Sequence, residues 1–201
     1  MQLGEVTMFN QNFYPTPELL AHRMFDKVDF SKVENILEPS AGKGDLIEAL
    51  NSYKIKSNLN ESMHYHWKDY QISTIEIDPD LQATLVGKKI PVIDDNFLTY
   101  SGSTHFDLVM ANFPFSDGEH HLTKALDIIF CGQIICLLNA ETLRNPCTNT
   151  RKTLVYRLNS KPPKTPPTED KENSLQKSSI NGIGQKSCRI NLLSAHAMNL
   201  S

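Results

Sequence analysis

Cysteine is scarce in this 201-residue chain: Cys131, Cys136, Cys147 and Cys188 form no CxxC pair and no recurrent spacing. A zinc cage needs clustered ligands and a disulfide scaffold needs dense cysteines, so neither is encoded. Reduced thiols are expected, with Cys131 and Cys136 in the core. Long apolar runs are missing too, and no segment approaches the roughly 18 apolar residues of a membrane helix. The N-terminus carries Glu5 and scattered polar residues rather than the basic-then-apolar pattern of a secretory signal. A cytoplasmic protein with no membrane association is expected. His64 and His66, and the pair His120 and His121, have no cysteine or carboxylate cluster to complete a metal site, so no metal is expected.

Positive charge is also short where it would matter for nucleic acid. The net charge is −3, but residues 160 to 201 hold six Lys/Arg against three Asp/Glu, leaving 14 against 20 in the rest. The body therefore stands at −6. Phosphate binding calls for clustered Lys/Arg on one face, and the body shows no such cluster. Nucleic acid would need additional recognition elements to hold it.

What is present is an alternation of apolar runs with helical spacing. Thr16 can cap a helix that starts at Pro17 and ends near Val28, with Leu19, Leu20, Met24 and Phe25 as its apolar stripe. Strands are expected at Asn35 to Glu38, Gln71 to Ile77, Pro91 to Ile93, Phe106 to Ala111 and Gln133 to Leu138. Helices are expected at Asp45 to Tyr53, Pro79 to Val86 and Gly118 to Ile129, with 54 to 70 as a surface connection. Strand-helix alternation implies an α/β, doubly wound parallel sheet. Residues 1 to 158 read as the catalytic domain. Residues 159 to 201 are rich in Pro, Lys, Ser and Asn with few large apolar residues, and read as a disordered or atypical tail. Within it only the weak run Ile190 to Leu193 suggests a stub of helix or strand.

The first chemical signal is Glu38-Pro39-Ser40-Ala41-Gly42-Lys43-Gly44, a glycine turn between a strand and a helix. Gly42 and Gly44 let the backbone approach a ligand and point helical N–H groups at it. The GxxxxGK[ST] spacing of a triphosphate loop is absent. At the end of the second strand Glu76, followed by Ile77, can offer two carboxylate oxygens to the hydroxyls of a ribose. Asp78 before Pro79 reads as a helix cap. These two motifs alone leave a dehydrogenase open.

Asn112-Phe113-Pro114-Phe115 follows the apolar run Asp107 to Ala111 and separates the alternatives. It resembles the catalytic loop of the class I S-adenosylmethionine-dependent methyltransferases that act on amino groups, above all the N6-adenine DNA methylases. The resemblance implies a Rossmann-like sheet, S-adenosylmethionine as cofactor and an exocyclic amine as target. It implies that Asn112 and the Phe113 carbonyl accept hydrogen bonds from that amine, that Pro114 fixes the loop, and that Phe115 stacks on a base swung out of the duplex. The family more often has Pro where this chain has Phe113. Further matches are Tyr14, Thr16 and Pro17, in a segment similar to one that closes over the methionine end of the cofactor, and Asp95, Asn96 and Phe97. There the family places an Asp before Phe to bind the cofactor's adenine amine. Here Asn96 holds that place and Asp95 sits one residue early.

The resemblance covers residues 12 to about 158. Family members continue with a helix and usually two further strands, and residues 159 to 201 are not expected to supply them, so the sheet is expected to lack its last strands. DNA is the expected substrate. RNA or protein glutamine, whose amide nitrogen poses the same chemical problem, is the alternative, as is an inactive remnant.

Overall fold

The computed structural model describes residues 15–59, 69–129 and 131–138, and residues 189–194 as backbone. Along the chain run α1 (Glu18–Phe25), β1 (Asn35–Glu38), α2 (Asp45–Leu59), β2 (Gln71–Ile75), α3 (Pro79–Gly87), β3 (Val92–Asp94), β4 (Leu108–Asn112), α4 (Gly118–Ile128), β5 (Gln133–Leu138) and β6 (Arg189–Ser194). All six strands join one sheet in the order β3-β2-β1-β4-β5-β6, and every pairing is parallel.

Side-chain alternation along the strands explains why the sheet must be covered twice. Leu108, Met110, Ile135 and Leu137 point to one face and share a core with Leu20, Met24 and Phe25 of α1 and Leu46, Ile47 and Leu50 of α2. Val109, Ala111, Ile134, Cys136 and Leu138 point to the other and pack with Leu122, Ala125 and Leu126 of α4 and with Phe97 and Phe113. A strand buried on both faces reads as an unbroken apolar run, which is how β5 reads in sequence.

Long-range braces close the end of the sheet away from the cleft. The Asp107 carboxylate accepts from the backbone N–H of Glu34 and Asn35 at 3.0 and 2.9 Å. The Gln133 side chain pairs with the backbone of Asp29, accepting its N–H at 2.8 Å and donating to its carbonyl at 2.9 Å.

Several expectations are corrected. Thr16 does not cap α1: Pro17 is the capping residue, with no side-chain bond, and its carbonyl accepts from Leu20 and Ala21. The helix α2 runs on to Leu59 instead of stopping at Tyr53, because 54 to 59 contain neither Gly nor Pro to end it. The tail does contribute a strand: Arg189–Ser194 pairs in parallel with all six residues of β5. Cys136 is buried but Cys131 is only partly so; Cys147, Cys188, His64 and His66 lie outside the described residues, as does Tyr14. Among the described residues no helix is long and apolar enough to cross a membrane.

Candidate functional site

In a sheet of this order the chain leaves β1 toward one side and β4 toward the other, which opens a crevice at their carboxyl ends. A cleft of about 270 Å³ lies there. Glu38 ends β1 and Asn112 ends β4.

The floor is the turn after β1. Pro39, Ser40, Ala41 and Gly42 line the cleft. Gly42 and Gly44 both take positive φ, +57° and +85°, which L side chains adopt only at a cost. The turn is held from below, where Gly44 N–H donates to the Ala41 carbonyl at 2.8 Å and Ala41 N–H to the Ile75 carbonyl at 3.2 Å. The Lys88 ammonium donates to the Lys43 carbonyl at 2.7 Å.

Two carboxylates stand at the strand ends with opposite circumstances. Glu76 is 7% exposed and well supplied: its oxygens accept from Gly42 N–H at 2.7 Å and Asp78 N–H at 3.0 Å. A carboxylate has about four lone-pair sites, so each oxygen keeps one for another donor. Glu38 is 2% exposed, and its Oε2 has no hydrogen-bond partner among the described residues. Burial, followed by the nearby charges of Asp45 and Glu76, pushes the Glu38 carboxyl well above the usual carboxylate range. Asp45 is itself raised, first by burial and then by Glu48.

The far wall is aromatic. Phe97 and Phe113 lie nearly parallel, 13° apart with centroids at 6.3 Å. The His121 ring packs on both, at 5.9 and 5.6 Å. Phe113 is 1% exposed and its side chain belongs to the core, while the residue as a whole lines the cleft. Asp95, Asn96, Asn112, Pro114 and Phe115 line the cleft, as do Thr16 and Ile77. The side-chain oxygen of Asn96 also accepts from Leu98 N–H at 3.0 Å.

Of the residues singled out in sequence, Pro17 and Gly44 do not line the cleft. Pro17 starts α1 and Gly44 shapes the turn from behind. Sequence reasoning missed Asp45, Leu46, Ile75, Leu81, Leu98, Asp117 and His121, which do line it. Asp45 directly follows the glycine turn, and that adjacency was a usable signal. Asp117 and His121 sit one helical turn apart at the start of α4, but nothing in the sequence aligned that turn with Phe97. Asp78 caps α3 as expected, accepting from Asp80 and Leu81 N–H. Among the described residues no group of three or more His, Cys, Asp or Glu could hold a metal.

No family profile matches the chain. Over 123 residues it is 24% identical to "Type II methyltransferase M.CvrRI" of Paramecium bursaria Chlorella virus XZ-6E, a match covering 61% of this chain and 29% of that protein. Among solved structures, the 23S rRNA methyltransferase ErmE superposes with a TM-score of 0.50 at 18% identity, over 72% of this chain and 57% of that one. The glycopeptide N-methyltransferase MtfA, complexed with S-adenosyl-L-homocysteine, gives 0.47 at 11% identity, over 67% and 57%. The chain thus spans well under two thirds of each of these proteins. Strand order, crevice and the superposition on ErmE agree: the chain has the Rossmann-like α/β fold of that methyltransferase.

Proposed function

We propose that this protein transfers the methyl group of S-adenosylmethionine to the exocyclic N6 amine of adenine in DNA. The observation that carries the reading is that Asn112 to Phe115 lies in one cleft with the glycine turn and Glu76, on adjacent strand ends. The residues present fit the cofactor. The Glu38 oxygen without a partner suits its ammonium group, the free lone pairs of Glu76 suit its ribose hydroxyls, and Ile77, Phe97 and Leu98 offer an apolar wall to its adenine. Asp95 and Asn96 stand beside that wall to accept from the adenine amine. Bound there, the cofactor supplies an electrophilic methyl group on a sulfonium.

The protein's part is positioning. The lone pair of an aromatic amine is delocalised into its ring, and acceptors on its two N–H bonds bring it back onto nitrogen. The Asn112 side-chain oxygen and the Phe113 carbonyl would be those acceptors. Transfer would form the N–C bond as the methyl C–S bond breaks to leave S-adenosylhomocysteine, and the same two oxygens would stabilise the positive charge on nitrogen until solvent takes its proton. Phe115, half-buried at the mouth, offers a face for a flipped base.

RNA and protein glutamine are the competing substrates, since the acceptor pair serves any planar amine. Tritium transfer from labelled cofactor to DNA, RNA and protein fractions separates the three. Asn112→Ala is expected to lower methyl transfer by about 100-fold or more, in line with loss of one well-placed transition-state hydrogen bond, with cofactor affinity little changed in calorimetry. Transfer confined to RNA or protein would overturn the DNA assignment, and absence of cofactor binding would overturn the whole reading.

A further inference from the structure

His121 lines the cleft and plays no part in the chemistry above. Its Nδ1 lies 2.9 Å from the backbone carbonyl of Asp117, one helical turn earlier. A carbonyl can only accept, so Nδ1 must carry a hydrogen, and in the neutral ring Nε2 is then an acceptor. The second imidazole nitrogen has no partner among the described residues. Packing against Phe97 and Phe113 fixes the ring plane, and the side chain is only 13% exposed. The Asp117 carboxylate lies 3.7 Å from the same Nδ1, so with Nδ1 as donor the neutral ring is an oriented acceptor beside Phe97 and Phe113.

The wall's neighbours indicate which group it meets. An adenine attached to a ribose held at Glu76 has the apolar side of the cleft, Ile77, Phe97 and Leu98, in which to lie. Its 6-amino group carries two N–H bonds, each of which can be met by an acceptor. Asp95 and Asn96 line this stretch of the cleft and can accept from it, although Asn96 already serves Leu98 N–H. An acceptor on the other N–H strengthens the preference for the amino form, because a donor left unmatched away from water is unfavourable.

We infer that His121, through Nε2, accepts the second hydrogen of the cofactor's 6-amino group and so reads the base of the cofactor. The inference rests on the cofactor reading above. It makes His121 a specificity-determining contact on the cofactor side of the cleft, separate from the acceptors aimed at the target amine.

The test is calorimetric, on the full chain, with S-adenosylhomocysteine and its analogue bearing hydrogen in place of the 6-amino group. Two variants are compared with the unaltered protein. His121→Phe keeps a ring in the stack but has no acceptor, and His121→Gln keeps an acceptor. The unaltered protein is expected to prefer the amino form, His121→Phe to lose about three- to tenfold of that preference, and His121→Gln to retain most of it. A structural role for His121 would weaken both ligands equally and leave the ratio unmoved. An equal ratio in all three proteins overturns the inference while leaving the cofactor reading intact, including the case where His121→Phe slows methyl transfer alone. Failure of the unaltered protein to bind S-adenosylhomocysteine overturns the cofactor reading and the inference with it.

Discussion

Replacing Glu38 by Gln is expected to stabilise the cofactor-free protein at neutral and alkaline pH while weakening cofactor binding. In the folded chain the Glu38 carboxyl is 2% exposed with Oε2 unpartnered among the described residues. Burial first, then the charges of Asp45 and Glu76, raise its titration well above the usual carboxylate range. The folded state therefore holds this proton more tightly than the unfolded chain does. Its stabilising contribution is complete below the ordinary carboxylate range and is lost as pH rises through the folded-state titration point. One proton gives a slope of at most about 1.4 kcal/mol per pH unit across that window. Above the window the penalty is that of an ionised, buried and unpartnered group, which exceeds the roughly 1–3 kcal/mol of a neutral one.

Gln has the same shape and never ionises, so the variant lacks that slope. At pH 5 the two proteins are expected to have similar stability. By pH 9 the variant is expected to lead by at least about 1–3 kcal/mol, which is about 2–4 °C in Tm per kcal/mol for a domain of this size. Urea unfolding followed by circular dichroism at pH 5, 7 and 9 measures the gap directly. The cofactor's ammonium would supply the missing cation, so binding to the unaltered protein should release a proton, visible as a heat that varies with buffer ionisation enthalpy, and binding to Glu38→Gln should not. Parallel stability curves for the two proteins across pH would refute the reasoning.

Three further outcomes follow from the geometry. Gly44→Ala forces a residue at φ +85° to carry a Cβ that would lie 2.9 Å from Ile90 Cδ1 and 3.2 Å from Leu85 Cδ2; a loss of at least about 1–2 kcal/mol is expected in urea unfolding from the left-handed backbone alone. Asp107→Ala removes the acceptor for Glu34 and Asn35 N–H and should cost about 1–3 kcal/mol, with amide exchange at those two positions rising more than at β5. Phe113→Ala empties a core position 1% exposed and should cost about 3–5 kcal/mol, whereas Phe113→Leu should cost less in the same thermal melts. If Phe113→Ala melted like the unaltered protein, the side chain would not be the core residue described.

The cleft was legible in sequence to the extent that its parts are local. The glycine turn announces itself because only glycine is at ease at φ +57° and +85°, and Glu76 and Asn112 each follow an apolar run whose end is marked by turn residues. His121 was not legible, because its meaning depends on the first turn of α4 lying against Phe97, and no period within either segment encodes that contact. The Thr16 cap was misread for a related reason: a hydroxyl before Pro has the composition of a cap, yet the chain enters α1 one residue later, and of the two roles expected for Thr16 only a place in the cleft remains. The sixth strand shows where local reading must fail. Ile190 to Leu193 is too short to display a period of its own, and it follows a long polar stretch. The stronger signal lay in its partner, since β5 is buried at all six positions. A parallel strand that apolar would leave a row of unpaired backbone donors and acceptors beside an exposed core face if it ended the sheet. The demand for a covering strand was thus written in Gln133 to Leu138, and what the sequence could not say was that the segment meeting it lies about 50 residues further on.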